Sequence, residues 1–366
     1  MLNKKYVNKL LELMVKNNID AMMIGPSVDL EFLTGFNPCV CERFQAFFIL
    51  AEGKYFHISP QIYFEEAGKS LDSSTEIFMW KDSDIFLDAI KAANRKYHLD
   101  GKIIGINNSI RGIDLLDIKE ILNAKFVNGH SILENLRVIK DEDEINKLKK
   151  AAKIADEVMG ETIDYIHPGI TEKDIKKKIE TLFIQKGADG LSFEPLVASG
   201  SNTSKPHYNK DSRTIEKKDI IILDIGCKYK GYCSDISRTV FVGEITEEQK
   251  KVYDIIFRSN KAGIKAAKQG VKAEDVDIAS RNIIKEEGYG QYFLNRTGHG
   301  IGICVHEAPY IRTGNKRILE KGMAFSVEPG IYMQNKFGMR IEDIVVIGEE
   351  GPEVLNQFRR DIIVIK

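Results

Sequence analysis

Short apolar runs alternate with amphipathic segments in residues 1–134, a pattern that predicts strands interleaved with helices. The helical segments are Lys5–Lys16, Ser83–Tyr97 and Asp114–Leu122. The strand segments are Ala21–Ile24, Ala46–Ala51, Tyr55–Ser59, Glu76–Trp80, Lys102–Ile106 and Lys125–Asn128. Glu52-Gly53 separates two of the apolar runs and predicts a hairpin turn. We therefore predict a small α/β domain over residues 1–134.

A charge-dense stretch after Asn135 opens a second, longer pattern. It begins a helical segment that runs to about Ile166, with Asp141 or Asp143 as its N-cap. Further acidic residues in the first turn suit the helix dipole. We place the domain boundary just before this helix, so that the second domain covers residues 135–366.

The second domain contains an internal repeat. Residues 167–175 align with residues 268–276 at a constant offset of 101, and at the same offset Gly187 meets Gly288. Two amphipathic helices can share such spacing by coincidence, but ungapped agreement that includes the glycines favours a duplicated helix–helix–sheet unit. A duplication of this kind predicts a cleft between the two halves, lined by strands from each.

Composition excludes several classes of protein. The 366 residues include 53 Lys plus Arg and 54 Asp plus Glu, so the formal net charge is −1. A net charge this close to zero gives no overall field that would attract nucleic acid or an anionic membrane, and we expect neither as a partner. No apolar run approaches the roughly 20 residues that cross a bilayer. A glycine-rich phosphate loop is also absent.

The lysine-rich start and the cysteines both favour a cytoplasmic protein. The lysines before Leu10-Leu11 resemble a signal peptide, but Glu12 interrupts the apolar segment and indicates an amphipathic helix. The cysteines are odd in number and sparse for a disulfide scaffold, which favours reduced thiols. They are Cys39, Cys41, Cys227, Cys233 and Cys304. A metal site at Cys39 and Cys41 is the alternative, but no second pair accompanies them at zinc-site spacing.

The strongest chemical signal is a pair of aspartates on neighbouring strand patterns. An apolar run enters Asp224, and Asp235 follows a polar turn. A two-residue loop at Tyr229-Lys230 predicts that Asp224 lies directly opposite Asp235. Like charges opposed on one sheet face are destabilising, and their burial forces protonation unless a cation lies between them. A divalent cation is one interpretation; a different register, or an aspartate that faces water, is the other.

Three more residues have settings that suit metal ligation. His299 is flanked by glycines, which allow close backbone approach, although such a histidine is more often a turn residue. Glu328 ends an apolar strand at a Pro-Gly break, and Glu342 sits within a β-branched run. Arg340 precedes Glu342 by two residues and is its alternative partner on the same strand face.

Four carboxylates and one imidazole suit two divalent ions a few ångströms apart. Oxygen-rich ligation with one nitrogen favours Mn²⁺ and leaves Co²⁺, Fe²⁺ or Zn²⁺ possible. None of the cysteines falls into the pattern. The predicted ligands are Asp224, Asp235, His299, Glu328 and Glu342.

The order and surroundings of these five residues resemble the metallopeptidases of the pita-bread fold, which include methionine aminopeptidase, Xaa-Pro aminopeptidase, prolidase and the metal-free creatinase. The resemblance covers nearly the whole chain and implies an α/β N-terminal domain before a duplicated catalytic domain. It implies that Asp224 is the bidentate ligand of one metal, and that Asp235 and Glu342 bridge both metals. His299 and Glu328 would bind the second metal, and Glu328 would also shuttle the proton.

The same resemblance implies roles for three residues outside the ligand set. His207 matches a histidine that lies over the substrate, and His306 and Arg340 match further substrate-side or supporting positions. The implied reaction is hydrolysis by a metal-bridging hydroxide, because two cations lower the pKa of a bound water to about 7.

Length and ligands narrow the choice within the family. The additional N-terminal domain disfavours methionine aminopeptidase, and the complete ligand set disfavours creatinase. Between the remaining two, Xaa-Pro aminopeptidase is preferred, because Tyr310 stands where many prolidases have an arginine for the free proline carboxylate. Arg312 could substitute, and Asn295 replaces a histidine of the larger aminopeptidases, so prolidase stays open.

Other expectations follow from the resemblance. The substrates would be peptides with proline at the second position, and the N-terminal domain would mediate a homodimer. A binding protein on a catalytically dead fold, or a hydrolase of another amide or ester, is a more distant alternative.

Overall fold

The computed structural model describes residues 2–366, which form two compact units divided after Arg137. The sequence places the boundary three residues earlier, inside the helix that ends the first unit. The helices of the first unit are α1 (Lys4–Lys16), α2 (Val28–Thr34), α3 (Phe64–Ser70), α4 (Phe86–Tyr97), α5 (Gly112–Ile121) and α6 (His130–Arg137). Its strands are β1 (Ala21–Ile24), β2 (Ala46–Leu50), β3 (Tyr55–Pro60), β4 (Glu76–Trp80), β5 (Ile103–Ile106) and β6 (Lys125–Asn128).

The first unit is built on one mixed six-stranded sheet in the order β4-β3-β2-β1-β5-β6. The predicted hairpin joins β2 and β3, and Gly53 takes a positive φ of 85° in its turn. Central strands β1 and β2 are buried along their whole length, because helices cover both faces of the sheet. Every helix and strand predicted in this region is confirmed, with ends shifted by at most three residues.

Two aromatic side chains of this unit have environments that matter for stability. The His57 imidazole is fully buried, 5.6 Å edge-on from the Phe36 ring and 6.3 Å from the Phe47 ring. Burial lowers the pKa of His57 to about 3, so the ring is neutral at pH 7. Trp80 packs against the core and its indole N–H donates to the Phe44 carbonyl at 3.0 Å.

The second unit contains four long helices and fourteen short strands. The helices are α7 (Glu142–Tyr165), α8 (Glu172–Gln185), α9 (Glu247–Ala266) and α10 (Ala273–Glu286). The strands of its first half are β7 (Gly190–Leu191), β8 (Leu196–Ser199), β9 (Ile220–Ile225), β10 (Cys227–Tyr229), β11 (Tyr232–Cys233) and β12 (Ile236–Val242). The remaining strands are β13 (Gly298–Gly300), β14 (Glu307–Ile311), β15 (Ala324–Val327), β16 (Gly330–Met333), β17 (Phe337–Arg340), β18 (Asp343–Ile347), β19 (Pro352–Val354) and β20 (Ile363–Ile365).

The helices of this unit form two equivalent pairs, α7 with α8 and α9 with α10. Helices α8 and α10 begin 101 residues apart and have the same length of 14 residues. The residue before each helix forms an isolated bridge, Thr171 to Thr214 and Lys272 to Ile318, so the pairs also enter their sheets alike. Asp141, rather than Asp143, caps α7 in a reciprocal capping box with Glu144.

The strands form two main sheets, one behind each helix pair. The order is β20-β12-β9-β8 in one sheet and β14-β13-β15-β18-β19 in the other. Two smaller ladders, β11-β10-β7 and β16-β17, form separate sheets. The strands of both main sheets carry their apolar residues into cores packed against the helices.

The register of the β9–β12 hairpin differs from the predicted one. Asp224 pairs with Ser237 rather than with Asp235, and the turn is at Lys230-Gly231. Both turn residues have positive φ, 48° and 79°, which a two-residue hairpin of this type requires and which glycine favours. The shift is two residues, an even number, so each side chain keeps its predicted face.

The expectation that Arg340 and Glu342 lie on one strand is also wrong. Strand β17 ends at Arg340 and β18 begins at Asp343, and the chain passes there from one sheet to another. Arg340 and Glu342 therefore do not share a strand face.

Two further expectations concern the chain as a whole. None of the helices formed by residues 2–366 is long and apolar enough to cross a membrane. All the cysteines are free thiols. Cys39 and Cys41 belong to no cluster of three or more metal-type ligands within the part of the chain that the structure describes.

Candidate metal centre

The five residues predicted as ligands come together in one cleft of about 650 Å³ in the second unit. Each lies at or next to a strand end: on β9, before β12, on β13, after β15 and before β18. In that order they are Asp224, Asp235, His299, Glu328 and Glu342. His207, His306 and Arg340 line the same cleft.

The acidic side chains surround the His299 ring. Its Nε2 lies 3.2 Å from Glu328 Oε1 and 3.7 Å from Asp235 Oδ2. One donor atom each of Asp235, His299 and Glu342 falls within 4.8 Å of the other two. Ligands bound to one ion at about 2.1 Å lie roughly 3–4 Å apart, so this spacing is close to that of a coordination sphere.

Two buried oxygens in this cluster lack any partner among residues 2–366. They are Oδ1 of Asp224 and Oδ1 of Asp235. Buried polar atoms are normally hydrogen-bonded, because an unpaired one loses its solvation without compensation. Oxygen donors beside one imidazole are the set that first-row divalent ions accept, so the residues present fit a divalent metal.

The pKa values of the acids show how crowded the cluster is. Burial, followed by the neighbouring carboxylates, raises the pKa of Asp235 and of Glu342 well above the usual range. The pKa of Glu328 lies below its usual value: burial alone would raise it, but the hydrogen bond from His299 and the charges of His299, Arg340 and Arg296 together outweigh burial. A cation between the acids would take the place of the protons that their proximity otherwise demands.

The glycines around His299 permit the close approach that the sequence indicates. A Cβ on Gly298 would lie 1.8 Å from the Ser326 carbonyl oxygen, and one on Gly300 would lie 2.2 Å from that of Ala308. The His299 backbone N–H donates to Ser326 Oγ at 3.1 Å, and Ser326 Oγ donates to Glu328 Oε1 at 3.2 Å. This serine therefore fixes two predicted ligands at once.

Arg340 is bonded to Asp224 and not to Glu342, which corrects the alternative drawn from the sequence. Its Nη2 donates to Asp224 Oδ2 at 2.6 Å and its Nε donates to Ser237 Oγ at 2.7 Å. Ser237 Oγ then donates to Glu342 Oε2 at 2.8 Å. The Tyr332 hydroxyl accepts from Arg340 Nη1 at 2.7 Å. The guanidinium thus orients one acid directly and a second through a hydroxyl.

The two histidines that were predicted to face a substrate, His207 and His306, occupy different surroundings. The His306 ring packs edge-on to that of His299, with 4.2 Å between the centroids. Burial, together with the positive surroundings, lowers the pKa of His306 to about 4 and keeps it neutral at pH 7. His207 lies in the segment that follows the 3₁₀ turn Gly200–Ser204.

Sequence reasoning missed Glu172, the buried first residue of α8. Its Oε1 accepts from the Ser199 backbone N–H at 2.8 Å, from Ser199 Oγ at 2.8 Å and from Asn202 Nδ2 at 3.2 Å. Its Oε2 accepts from the Tyr208 hydroxyl at 3.0 Å and from the Arg213 N–H at 3.3 Å. Glu172 therefore ties down both sides of the segment that carries His207. An acid in the first turn of a helix looks ordinary in sequence, and no signal marked it.

Comparison with known proteins agrees with this geometry. Residues 146–349 match the model of metallopeptidase family M24, and residues 7–139 match that of the creatinase/prolidase N-terminal domain. A protein named Xaa-Pro dipeptidase from Pyrococcus horikoshii is 33% identical over 99% of both chains. The crystal structure of a recombinant prolidase from Thermococcus sibiricus is 38% identical, with a TM-score of 0.95 over 100% of both chains.

A structure named X-Pro aminopeptidase, from Thermotoga maritima, is also similar. It is 32% identical, with a TM-score of 0.85 over 98% of this chain and 99% of that one. These likenesses confirm the predicted pita-bread architecture of an α/β N-terminal domain followed by the catalytic domain, and the chain belongs to metallopeptidase family M24.

Proposed function

We propose that this metallopeptidase is a prolidase, which hydrolyses the peptide bond of Xaa-Pro dipeptides. The observation that carries the proposal is the convergence of four carboxylates and one imidazole in one cleft, where two buried oxygens have no partner in residues 2–366. The dipeptide as substrate follows from the full-length likeness to proteins named Xaa-Pro dipeptidase and prolidase.

This proposal reverses the preference drawn from the sequence. Tyr310, in place of an arginine, favours Xaa-Pro aminopeptidase, but similarity over the whole chain to named dipeptidases outweighs one missing side chain. Xaa-Pro aminopeptidase is the second candidate, because one of the similar structures carries that name.

The residues that would hold the metals follow from the donor set. Two divalent ions would be bound by Asp224, Asp235, His299, Glu328 and Glu342, with Mn²⁺ preferred because oxygen donors dominate. When bound, such ions acidify a water and polarise the scissile carbonyl. The structure supports the type of site through its donor atoms, and the identity of the metal is part of the proposal.

Glu328 is the group that moves the proton. His299 and Ser326 both contact its Oε1, which leaves Oε2 to accept a proton from the attacking water. Its pKa lies below the usual value, so the side chain is ionised and able to act as a base at neutral pH. The same oxygen can then deliver the proton to the proline nitrogen as it leaves.

The histidines on the substrate side stabilise the developing oxyanion. Neutral His306 carries one ring N–H that can donate a hydrogen bond, and His207 lines the same cleft. A well-placed donor of this kind contributes about 3–4 kcal/mol to the transition state. Both residues are proposed here as substrate-binding groups.

The decisive experiment measures the hydrolysis of Ala-Pro, Ala-Pro-Ala and Ala-Ala-Ala, first by the metal-depleted protein and then by the Mn²⁺-loaded protein. A prolidase hydrolyses Ala-Pro faster than Ala-Pro-Ala, leaves Ala-Ala-Ala intact, and loses activity when a chelator is added. Preference for Ala-Pro-Ala would instead assign the Xaa-Pro aminopeptidase activity. No hydrolysis of any peptide by a protein that binds Mn²⁺ would indicate a binding protein on a catalytically dead fold.

The variant that tests the role of Glu328 is Glu328→Gln, which keeps the size of the side chain and removes the base. We expect a loss of at least about 100-fold in kcat, since general bases contribute about 10²–10⁴-fold.

The homodimer and the cytoplasmic location stay predictions. Sedimentation of the purified protein tests the first of these.

A further inference from the structure

Three long cationic side chains line the cleft among residues 2–366, and two of them already have acidic partners. Arg340 is bonded to Asp224, and Lys176 Nζ lies 3.3 Å from Glu194 Oε1. Arg296, in contrast, makes no hydrogen bond or ion pair within the described chain. The charge of Arg296 contributes to the lowered pKa of Glu328, but no carboxylate is bonded to the guanidinium, so this half-buried group is available to bind an anion.

The Arg296 guanidinium lies over the Tyr310 ring, 5.0 Å from its centroid. Arg296 immediately precedes the β13 region and Tyr310 lies on the antiparallel neighbour β14. A cation on an aromatic face is held by the ring quadrupole while its N–H groups stay free at the edges. Tyr310 thus supports a guanidinium that arrives from the adjacent strand.

The backbone on which both residues sit is clamped by one buried acid. Asp277 on α10 accepts from the N–H and hydroxyl of Thr297 through Oδ1, at 3.2 and 2.7 Å. Its Oδ2 accepts from the N–H and hydroxyl of Thr313, at 3.0 and 2.6 Å. The segments that follow Arg296 and Tyr310 are therefore held to the same carboxylate, which limits the reorganisation needed for binding.

A dipeptide presents a chemical problem in this cleft. Its carboxylate is one residue from the scissile bond and must enter a site rich in acids, so an unpaired cation within reach is required. Arg312, the substitute suggested by the sequence, does not line the cleft. It is exposed and donates to the Thr313 carbonyl.

We propose that Arg296, supported by Tyr310, binds the terminal carboxylate of the dipeptide and so determines specificity for dipeptides over longer peptides. The inference rests on the proposed function and names the residue that gives it this specificity. Guanidinium and carboxylate match in a two-point, charge-assisted interaction, which an amide or an extended peptide cannot form.

The test compares Ala-Pro with Ala-Pro amide, which lacks only the negative charge. In Arg296→Met, we expect kcat/KM for Ala-Pro to fall about 30- to 100-fold, mainly through KM, as for loss of a charged hydrogen-bond pair. Cleavage of Ala-Pro amide should stay within about twofold of wild type, since its uncharged terminus gains little from the cation. Arg296→Lys should recover part of the loss for the dipeptide.

Two further variants separate binding from structure. Tyr310→Arg added to Arg296→Met supplies a cation from the neighbouring strand and should restore dipeptide cleavage. Arg312→Met is the matched control, because it removes an exposed arginine outside the cleft and should change neither substrate. Melting temperature and Mn²⁺ content are measured for every variant.

The outcomes distinguish this inference from the proposed function. The proposed role of Arg296 is wrong, and prolidase activity stands, if wild type cleaves Ala-Pro and Arg296→Met either cleaves Ala-Pro and Ala-Pro amide equally poorly or cleaves both as well as wild type does. The role is also overturned if cleavage of Ala-Pro recovers neither in Arg296→Lys nor in the variant that combines Tyr310→Arg with Arg296→Met. If wild type cleaves neither substrate when loaded with Mn²⁺, the proposed function fails first.

Discussion

Replacement of Glu172 by glutamine should impair catalysis through His207, a residue that Glu172 does not touch. The carboxylate accepts five hydrogen bonds from residues on both sides of the segment that carries His207. Glutamine has the same shape but replaces one acceptor oxygen by an NH₂ group. At least two donors then lose their acceptor, whichever way the amide is turned.

The size of the effect follows from these contacts. The oxygen with fewer bonds, Oε2, serves the Tyr208 hydroxyl and the Arg213 N–H. The Tyr208 hydroxyl can rotate, and burial helps raise its pKa to about 12, so it stays a neutral group that can also accept. The backbone N–H cannot adapt, and the loss of charge weakens the remaining bonds. Together these effects cost about 2–4 kcal/mol, given about 1.5–3 kcal/mol for each bond to a charged group.

Kinetic measurement of a double-mutant cycle is the appropriate assay. We expect kcat/KM for Ala-Pro to fall about 30- to 900-fold in Glu172→Gln, which is the equivalent of about 2–4 kcal/mol at 1.36 kcal/mol for each tenfold change. Adding Glu172→Gln to His207→Ala should cause little further loss, since the histidine through which Glu172 acts is already gone. Glu180→Gln, an exposed change on the same helix, is the matched control.

The reasoning would be refuted by additivity. If Glu172→Gln reduces kcat/KM by the same factor with and without His207, the carboxylate acts elsewhere. A lower melting temperature with unchanged kinetics would likewise reduce Glu172 to a structural residue.

Three more predictions concern the metals, the glycines and a buried histidine. Removal of metal with a chelator should abolish peptidase activity and lower the melting temperature reversibly. The reason is that an ion present at 100 times its Kd stabilises the folded protein by about 2.7 kcal/mol. Calorimetry before and after the addition of Mn²⁺ measures this change. Gly298→Ala places a Cβ 1.8 Å from the Ser326 carbonyl oxygen and should cost more than about 3 kcal/mol and most activity, whereas Gly190→Ala, with open space around it, should do neither. His57 is neutral when folded, with a pKa of about 3 against about 6.5 unfolded, so its stability contribution is complete above pH 6.5 and is lost as the pH falls towards 3. Urea unfolding followed by Trp80 fluorescence should show about 2.5 kcal/mol less stability at pH 4.5 than at pH 7 from this group, and His57→Met should remove that difference.

Much of this fold could be predicted because its signals are local. Strand alternation, the Pro-Gly break after Glu328 and the glycines around His299 each indicate a conformation within a few residues. The error in the hairpin register was harmless for the site, since a shift of two residues left Asp224 and Asp235 on one face. Turn chemistry could have avoided it, because Gly231 suits a positive φ and Tyr229 does not.

The features that escaped prediction depend on contacts between distant residues. Glu172 meets Ser199 and Arg213 only after α8 has packed against β8, and nothing local in the sequence marks it. In the same way, Tyr310 read alone indicated a missing cation, whereas in the structure Arg296 lies across its ring. The sequence shows which residue types are present, but it does not show which residues from different strands lie side by side in the folded protein.

The predicted ligands are divided between the two halves of the catalytic unit. Asp224 and Asp235 lie in the sheet behind the first helix pair, and His299, Glu328 and Glu342 lie in or beside the sheet behind the second. A bound ion would therefore link the two halves of the catalytic unit through ligands from each. Depletion of metal would weaken the contact between the two halves as well as stop turnover. The resistance of the enzyme to proteolysis would therefore depend on the concentration of the ion.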